Sequence, residues 1–144
     1  MTESDYTRKV LKVLENFRGV VTKHSDRYTK GVPDLSATGY SQTWWCEIKV
    51  AEDKPGEQFP RYRERVMEDL VQFMLMRRLE KFSGGRAFYL MYDPAFDVHA
   101  VIRPEAFMET SSIYGTFRND RNLKKALENE MLVNLDKPGA DSDT

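Results

Sequence analysis

From residue 34 to residue 50 the chain reads as strand, turn and returning strand, and this hairpin restricts the possible folds more than any other stretch. Residues 34–38 suit a strand. Gly39-Tyr40-Ser41-Gln42 has the composition of a tight turn, and residues 43–50 return as the partner. Side chains alternate between the two faces of a strand, so Trp45, Glu47 and Lys49 share one face while Trp44, Cys46, Ile48 and Val50 share the other. The second set has the character of a core. The first puts two charged groups side by side at the end of an otherwise apolar strand.

Around the hairpin the chain offers alternating helical and extended signals. Residues 3–17 form an amphipathic helix in which Tyr6, Val10, Val13, Leu14 and Phe17 recur at helical spacing, with Thr2 or Ser4 as cap and Gly19 as stop. Residues 20–24 are a short β-branched strand. Residues 51–64, charged and holding Pro55, Gly56 and Pro60, suit a loop. Residues 65–82 suit one long helix, apolar over much of its circumference, ended by Ser83-Gly84-Gly85. Residues 87–92 are a continuous apolar run expected to be a central strand, and residues 98–102 a further one. Pro104 opens a short helix and residues 119–130 suit another. The order helix, three strands, helix, strand, strand gives an α/β fold with a mixed central sheet. One domain is expected over residues 1–135, with residues 136–144 as a disordered acidic tail.

The net charge of −1 excludes a protein that coats nucleic acid through bulk positive charge, but leaves room for a local basic surface such as Arg18, Lys23, Arg27 and Lys30. The absence of a long apolar run argues against a membrane span. One cysteine, Cys46, cannot make an internal disulfide and fits a reducing interior. With only two histidines, His24 and His99, far apart in the chain, a structural zinc site is not expected.

The chemistry concentrates in Gly31-Val32-Pro33-Asp34-Leu35 followed by Glu47-Ile48-Lys49. Hydrolysis of a phosphodiester needs an activated water and relief of charge on the phosphate, and a divalent cation supplies both. Mg²⁺ or Mn²⁺ prefers hard oxygen ligands, of which Asp34, Glu47 and the backbone carbonyl of Ile48 are candidates. Lys49 points the same way as Glu47 and could orient the attacking water or stabilise developing negative charge. Glu-x-Lys alone is common on solvated strands. Its pairing with an aspartate at the mouth of the neighbouring strand raises its weight, because two facing carboxylates repel unless a cation lies between them.

Val32-Pro33-Asp34 with Glu47-Ile48-Lys49 resembles the PD-(D/E)xK nuclease signature, and the wider pattern is similar to its virus-type replication-repair branch, the VRR-NUC domains. Glu3 matches an early helix glutamate, Gly31-Val32-Pro33-Asp34 a Gly-x-Pro-Asp motif, and Gln72 a helix glutamine for which Gln58 competes. Gly84-Gly85 matches the turn into the next strand. The likeness spans roughly residues 1–103. It implies a restriction-endonuclease-like αβββαβ core and Mg²⁺- or Mn²⁺-dependent cleavage of DNA. Asp34, Glu47, Lys49, Glu3 and Gln72 would be the catalytic residues, with Asp34, Glu47, Ile48 and Glu3 as metal ligands. It further implies branched DNA such as four-way (Holliday) junctions as substrate and a homodimer as the working form. The expected setting is the cytoplasm of a bacterium or phage-infected host cell.

Lys23, Arg27, Lys30, Arg61 and Arg63 are the candidate DNA contacts, although Glu57 and Glu64 on either side of the last two favour a solvated loop. Trp44 and Trp45 could stack on bases, but in a strand at least one belongs to the core. Two other readings stand beside the nuclease: a module of the same fold that binds branched DNA without cutting, and a sequence-specific restriction-type endonuclease.

Overall fold

The computed structural model describes residues 1–25, 31–108 and 117–136. Its elements are α1 (Glu3–Val13), β1 (Val20–Lys23), β2 (Leu35–Gly39), β3 (Gln42–Val50), α2 (Gln58–Met67), α3 (Leu70–Phe82), β4 (Ala87–Asp93), β5 (Val98–Ile102), β6 (Phe117–Asp120) and α4 (Leu123–Met131). The six strands form one mixed sheet in the order β1-β2-β3-β4-β5-β6. β3 and β4 run parallel, joined by a crossover through α2 and α3, and every other neighbouring pair is antiparallel.

Each face of the sheet carries its own core. On one, Tyr6 and Val10 of α1, Leu14 just after it, and Ala126, Leu127 and Met131 of α4 pack on Trp44, Cys46, Ile48, Phe88 and Leu90. On the other, Tyr62 and Val66 of α2 and Phe73 and Met76 of α3 pack on Ala87, Tyr89, Met91, Ala100 and Ile102. The faces of β3 divide as the alternation predicts, with Trp45 on the α2/α3 side.

Local signals explain most element ends. Thr2 caps α1 through a capping box, its Oγ1 accepting from Asp5 N at 3.1 Å while Asp5 Oδ2 accepts from Thr2 N at 3.3 Å. The β2–β3 connection is the expected two-residue turn, with Tyr40 and Ser41 both at positive φ, 56° and 61°. Tyr40 packs edge-on against Phe17 at 6.0 Å.

Four expectations are corrected. The helix expected over residues 65–82 is two helices, because Asp69 breaks it and caps α3 by accepting from Gln72 N at 3.0 Å. The stretch expected as a loop over residues 51–64 is helical from Gln58 onward, since Tyr62 and Val66 supply a buried stripe. The helix expected over residues 3–17 ends at Val13, with a 3-10 turn over Leu14–Asn16, while α3 packs on the sheet through one face and leaves Leu70, Val71, Met74 and Phe82 exposed. Phe117–Asp120 is an edge strand paired with β5, and the last helix starts later than expected, at Leu123 with Asn122 as its cap. Residues 137–144 of the expected tail lie outside the described residues. Among the described residues no helix is long and apolar enough to cross a membrane.

Candidate active site

The hairpin brings Asp34 and Glu47 face to face. Leu35 pairs with Cys46, so one step further along the register Asp34 stands opposite Glu47, and opposed residues of antiparallel strands point to the same side. Two reciprocal hydrogen bonds lock them: Asp34 N donates to Glu47 Oε1 at 3.0 Å, and Ile48 N donates to Asp34 Oδ2 at 2.9 Å. His24 N donates to the Asp34 carbonyl at 2.8 Å, extending the β1 edge to the site. Each carboxylate therefore commits one oxygen to a backbone amide. The second oxygen of Glu47 lies 3.4 Å from Lys49 Nζ.

Glu47 and Lys49 are only 4% and 7% exposed, whereas Asp34 is half-buried. Burial first, and the Asp34 carboxylate second, push Glu47 up to about 8, with the Lys49 ammonium pulling in the opposite direction. Without a cation, burial and the facing Asp34 carboxylate favour the protonated form of Glu47. A divalent ion taking the place of that proton relieves the same repulsion.

The donor set suits a hard dication. Amides of Trp45 and Ala51 point to β4, bonding Arg86 O at 2.7 Å and Tyr92 O at 2.8 Å. Alternate residues of a strand face alternate edges, so Ile48 turns its amide and its carbonyl to the other edge, beside Asp34. Two carboxylates and a carbonyl there are all oxygen ligands, and Mg²⁺ characteristically binds through one or two carboxylates with water completing its shell. Among the described residues there is no group of three or more His, Cys, Asp or Glu placed to hold a metal, so carbonyl, water or substrate oxygens would have to supply the remaining positions.

The other expected site residues are distributed unevenly. The Glu3 carboxylate is paired with Arg65 of α2, which also donates to Val50 O at 3.3 Å and Glu68 Oε2 at 2.6 Å. Glu3 thus sits toward the end of β3 in an ion-pair network with Arg65. Gln72 is buried in the first turn of α3. It packs under Gly31, where an added Cβ would lie 3.2 Å from the Gln72 Cα, so α3 starts beside the approach to Asp34. Gln58, its competitor, instead accepts from Asn119 of the far edge strand at 3.0 Å. Arg61, expected at DNA phosphates, is instead a buried partner of Asp93 at 2.6 Å. Lys23 and Arg63 are exposed, and Arg27 and Lys30 lie outside the described residues.

Two neighbours of the site carried little signal in the sequence. His24 is hydrogen-bonded to Ser36 Oγ through Nε2 at 2.8 Å and stacks on Trp45 at 5.8 Å. Tyr89, hidden in the apolar run of β4, is in register with Glu47. Its position opposite the Glu-x-Lys strand was the only clue, and it required the pairing to be known. Two clefts of about 570 and 710 Å³ lie elsewhere, around the Gly84-Gly85 turn at the entry to β4. Neither a family model nor a curated protein matches the chain.

Proposed function

We propose that this protein is a metal-dependent DNA endonuclease of the PD-(D/E)xK type, of the virus-type replication-repair branch, with a restriction-endonuclease-like core. The observation that carries the reading is the forced apposition of Asp34 and Glu47, held by two reciprocal amide bonds with Lys49 at 3.4 Å. Buried like charges without a matching set of cations are costly, and the arrangement has a chemical purpose if a dication joins it. Asp34, Glu47 and the carbonyl of Ile48 would hold Mg²⁺ or Mn²⁺, which when bound supplies Lewis acidity at the scissile phosphate. The backbone amides of Asp34 and Ile48 fix the orientation of both carboxylates. Lys49 keeps an ammonium beside them to orient water and stabilise negative charge as it develops. Branched DNA such as a four-way junction is the proposed substrate, and a homodimer the form that cuts two strands.

The test is cleavage of junction, flap, nicked and linear DNAs with Mg²⁺, with Mn²⁺ and with EDTA, by the wild type and by Asp34→Asn and Lys49→Ala. Junctions are cut in the presence of metal alone, and each variant loses at least about 10³-fold in rate with its melting temperature retained. Undiminished cutting by both variants overturns the assignment. Preference for one linear sequence would instead favour a restriction-type enzyme.

One observation favours a second reading, a module of this fold that binds branched DNA without cutting: Glu47 and Lys49 are nearly closed off from solvent and engage each other. Junction binding that is indifferent to EDTA, with no product at any metal concentration, would select it.

A further inference from the structure

Among the described residues, two buried polar atoms on the α2/α3 side of the sheet have no hydrogen-bond partner: Tyr89 Oη, on the strand beside Glu47, and Gln72 Oε1, in the first turn of α3. Protein interiors seldom leave such groups unmet, and an exception calls for an explanation. Arg61 Nε is also unmet, but the rest of that guanidinium is satisfied by Asp93 and the Glu52 carbonyl.

Tyr89 is fully buried and stands beside Glu47 in the parallel β3–β4 pair. It belongs to the core under α2 and α3, whereas its neighbours Phe88 and Leu90 point to the opposite face. Phe107 holds the ring edge-on at 6.0 Å. The Tyr89 side chain lies on the same face as that of Glu47, beside it in the register and under α3, which Asp69 caps. Burial keeps the phenol protonated, so it is available as a donor. Gln72 follows Asp69 by three residues in that same first turn and is itself buried. Its Oε1 is an acceptor only. A donor and an acceptor, both unmet, thus lie on the α3 side of the sheet that carries Glu47. A single water has two hydrogens and two lone pairs, which is the complement that such a set needs.

We propose that Tyr89 is a positioning residue: its hydroxyl donates to a water held against Glu47, and Gln72 Oε1 accepts one hydrogen of that water. The effect on rate rests on the hydrolytic reading above; the water itself does not. Neither role was visible in composition or spacing, since Tyr89 lies in a run that reads wholly as core.

Tyr89→Phe tests it, because it removes one oxygen and keeps the ring. In the metal-loaded protein kcat on a four-way junction falls about 10- to 100-fold, as when an outer hydrogen-bond partner of a metal site is lost, while KM stays within about twofold. The melting temperature of the metal-free protein stays within about 4 °C of the wild type, because only one hydrogen bond to a water is lost. A structural role would move the melting temperature down and leave kcat per folded molecule alone. Wild-type kcat in the variant, or a fall in melting temperature beyond about 4 °C, overturns the proposal while leaving the nuclease assignment in place. If the wild type cuts no DNA, the nuclease assignment falls instead, and a crystal structure of the metal-free wild type decides the water. Density within hydrogen-bond distance of both Tyr89 Oη and the Glu47 carboxylate supports the proposal, and a dry site overturns it.

Discussion

Two clusters of buried charge lie on the α2/α3 face of the sheet, and their charge balance differs. Asp93, fully buried at the end of β4, accepts from Arg61 Nη2 at 2.6 Å and Tyr62 Oη at 2.7 Å through one oxygen, and from Ala95 N at 3.1 Å through the other. One carboxylate meets one guanidinium, and the remaining lone pairs are used. The Arg61 side chain also lies 5.6 Å from the Phe96 ring centre and donates to the Glu52 carbonyl at 2.9 Å. At the other cluster, two carboxylates meet one ammonium, and Glu47 is pushed up to about 8. The first cluster matches one carboxylate with one guanidinium and ties α2 to the β4–β5 turn, with Arg61 Nε left without a partner among the described residues. The second sets two carboxylates against one ammonium, an imbalance that a proton on Glu47 relieves.

Three measurements sharpen or break that contrast, beginning with the largest effect. Asp93→Asn or Arg61→Ala leaves a buried charge unmatched and costs about 3–5 kcal/mol, seen in thermal melts as a loss of roughly 10–20 °C. Cleavage per folded molecule at a permissive temperature stays at the wild-type level; a collapse of activity in a well-folded Asp93→Asn protein would put both clusters in one site.

Next is Glu47→Gln, assayed in EDTA. Glu47 titrates near 8 in the fold against an ordinary 4.5. Its contribution to stability is therefore fully present below pH 4.5 and is lost as pH rises toward and through 8. Glutamine does not titrate, so the variant matches the wild type at pH 4.5 and exceeds it at pH 9 by on the order of 3 kcal/mol. A variant less stable than the wild type at pH 9 would mean that Glu47 is as structural as Asp93.

Smallest is the response to metal. At a Mn²⁺ concentration 100 times its dissociation constant, the wild type gains about 2.7 kcal/mol, and Asp93→Asn gains as much over its own lower baseline. Asp34→Asn gains nothing. Equal gains in wild type and Asp34→Asn would move the metal elsewhere.

How far the sequence disclosed this arrangement depends on the distance over which each signal acts. The hairpin was legible because strand alternation and a two-residue turn are local properties, and they alone bring Asp34 opposite Glu47. The α2–α3 break was not. Met67, Leu70 and Val71 continue an apolar pattern across it, and the cap at Asp69 is one residue within a charged pair, Glu68-Asp69. β6 has one buried-side aromatic, Phe117, too few positions for alternation to register. Glu3 lies on the inward stripe with Tyr6 and Val10 as read, but its carboxylate follows Arg65, sixty-two positions away. Arg61 and Tyr89 were misjudged or missed for the same reason, since their partners, Asp93 and Glu47, come from elements far along the chain.

The strand order gives the sheet a history. Each strand lies beside its predecessor in the chain, so a growing polypeptide can add one edge at a time. The two acids are set by a hairpin whose register needs no residue of β4, α2 or α3. In a chain where those elements have yet to pack, the acids would face water on both sides, where repulsion between them is weak. The walls that exclude solvent come with the later crossover, so a dication captured by the nascent hairpin would be enclosed as folding finishes, and would not have to enter a shut chamber afterwards.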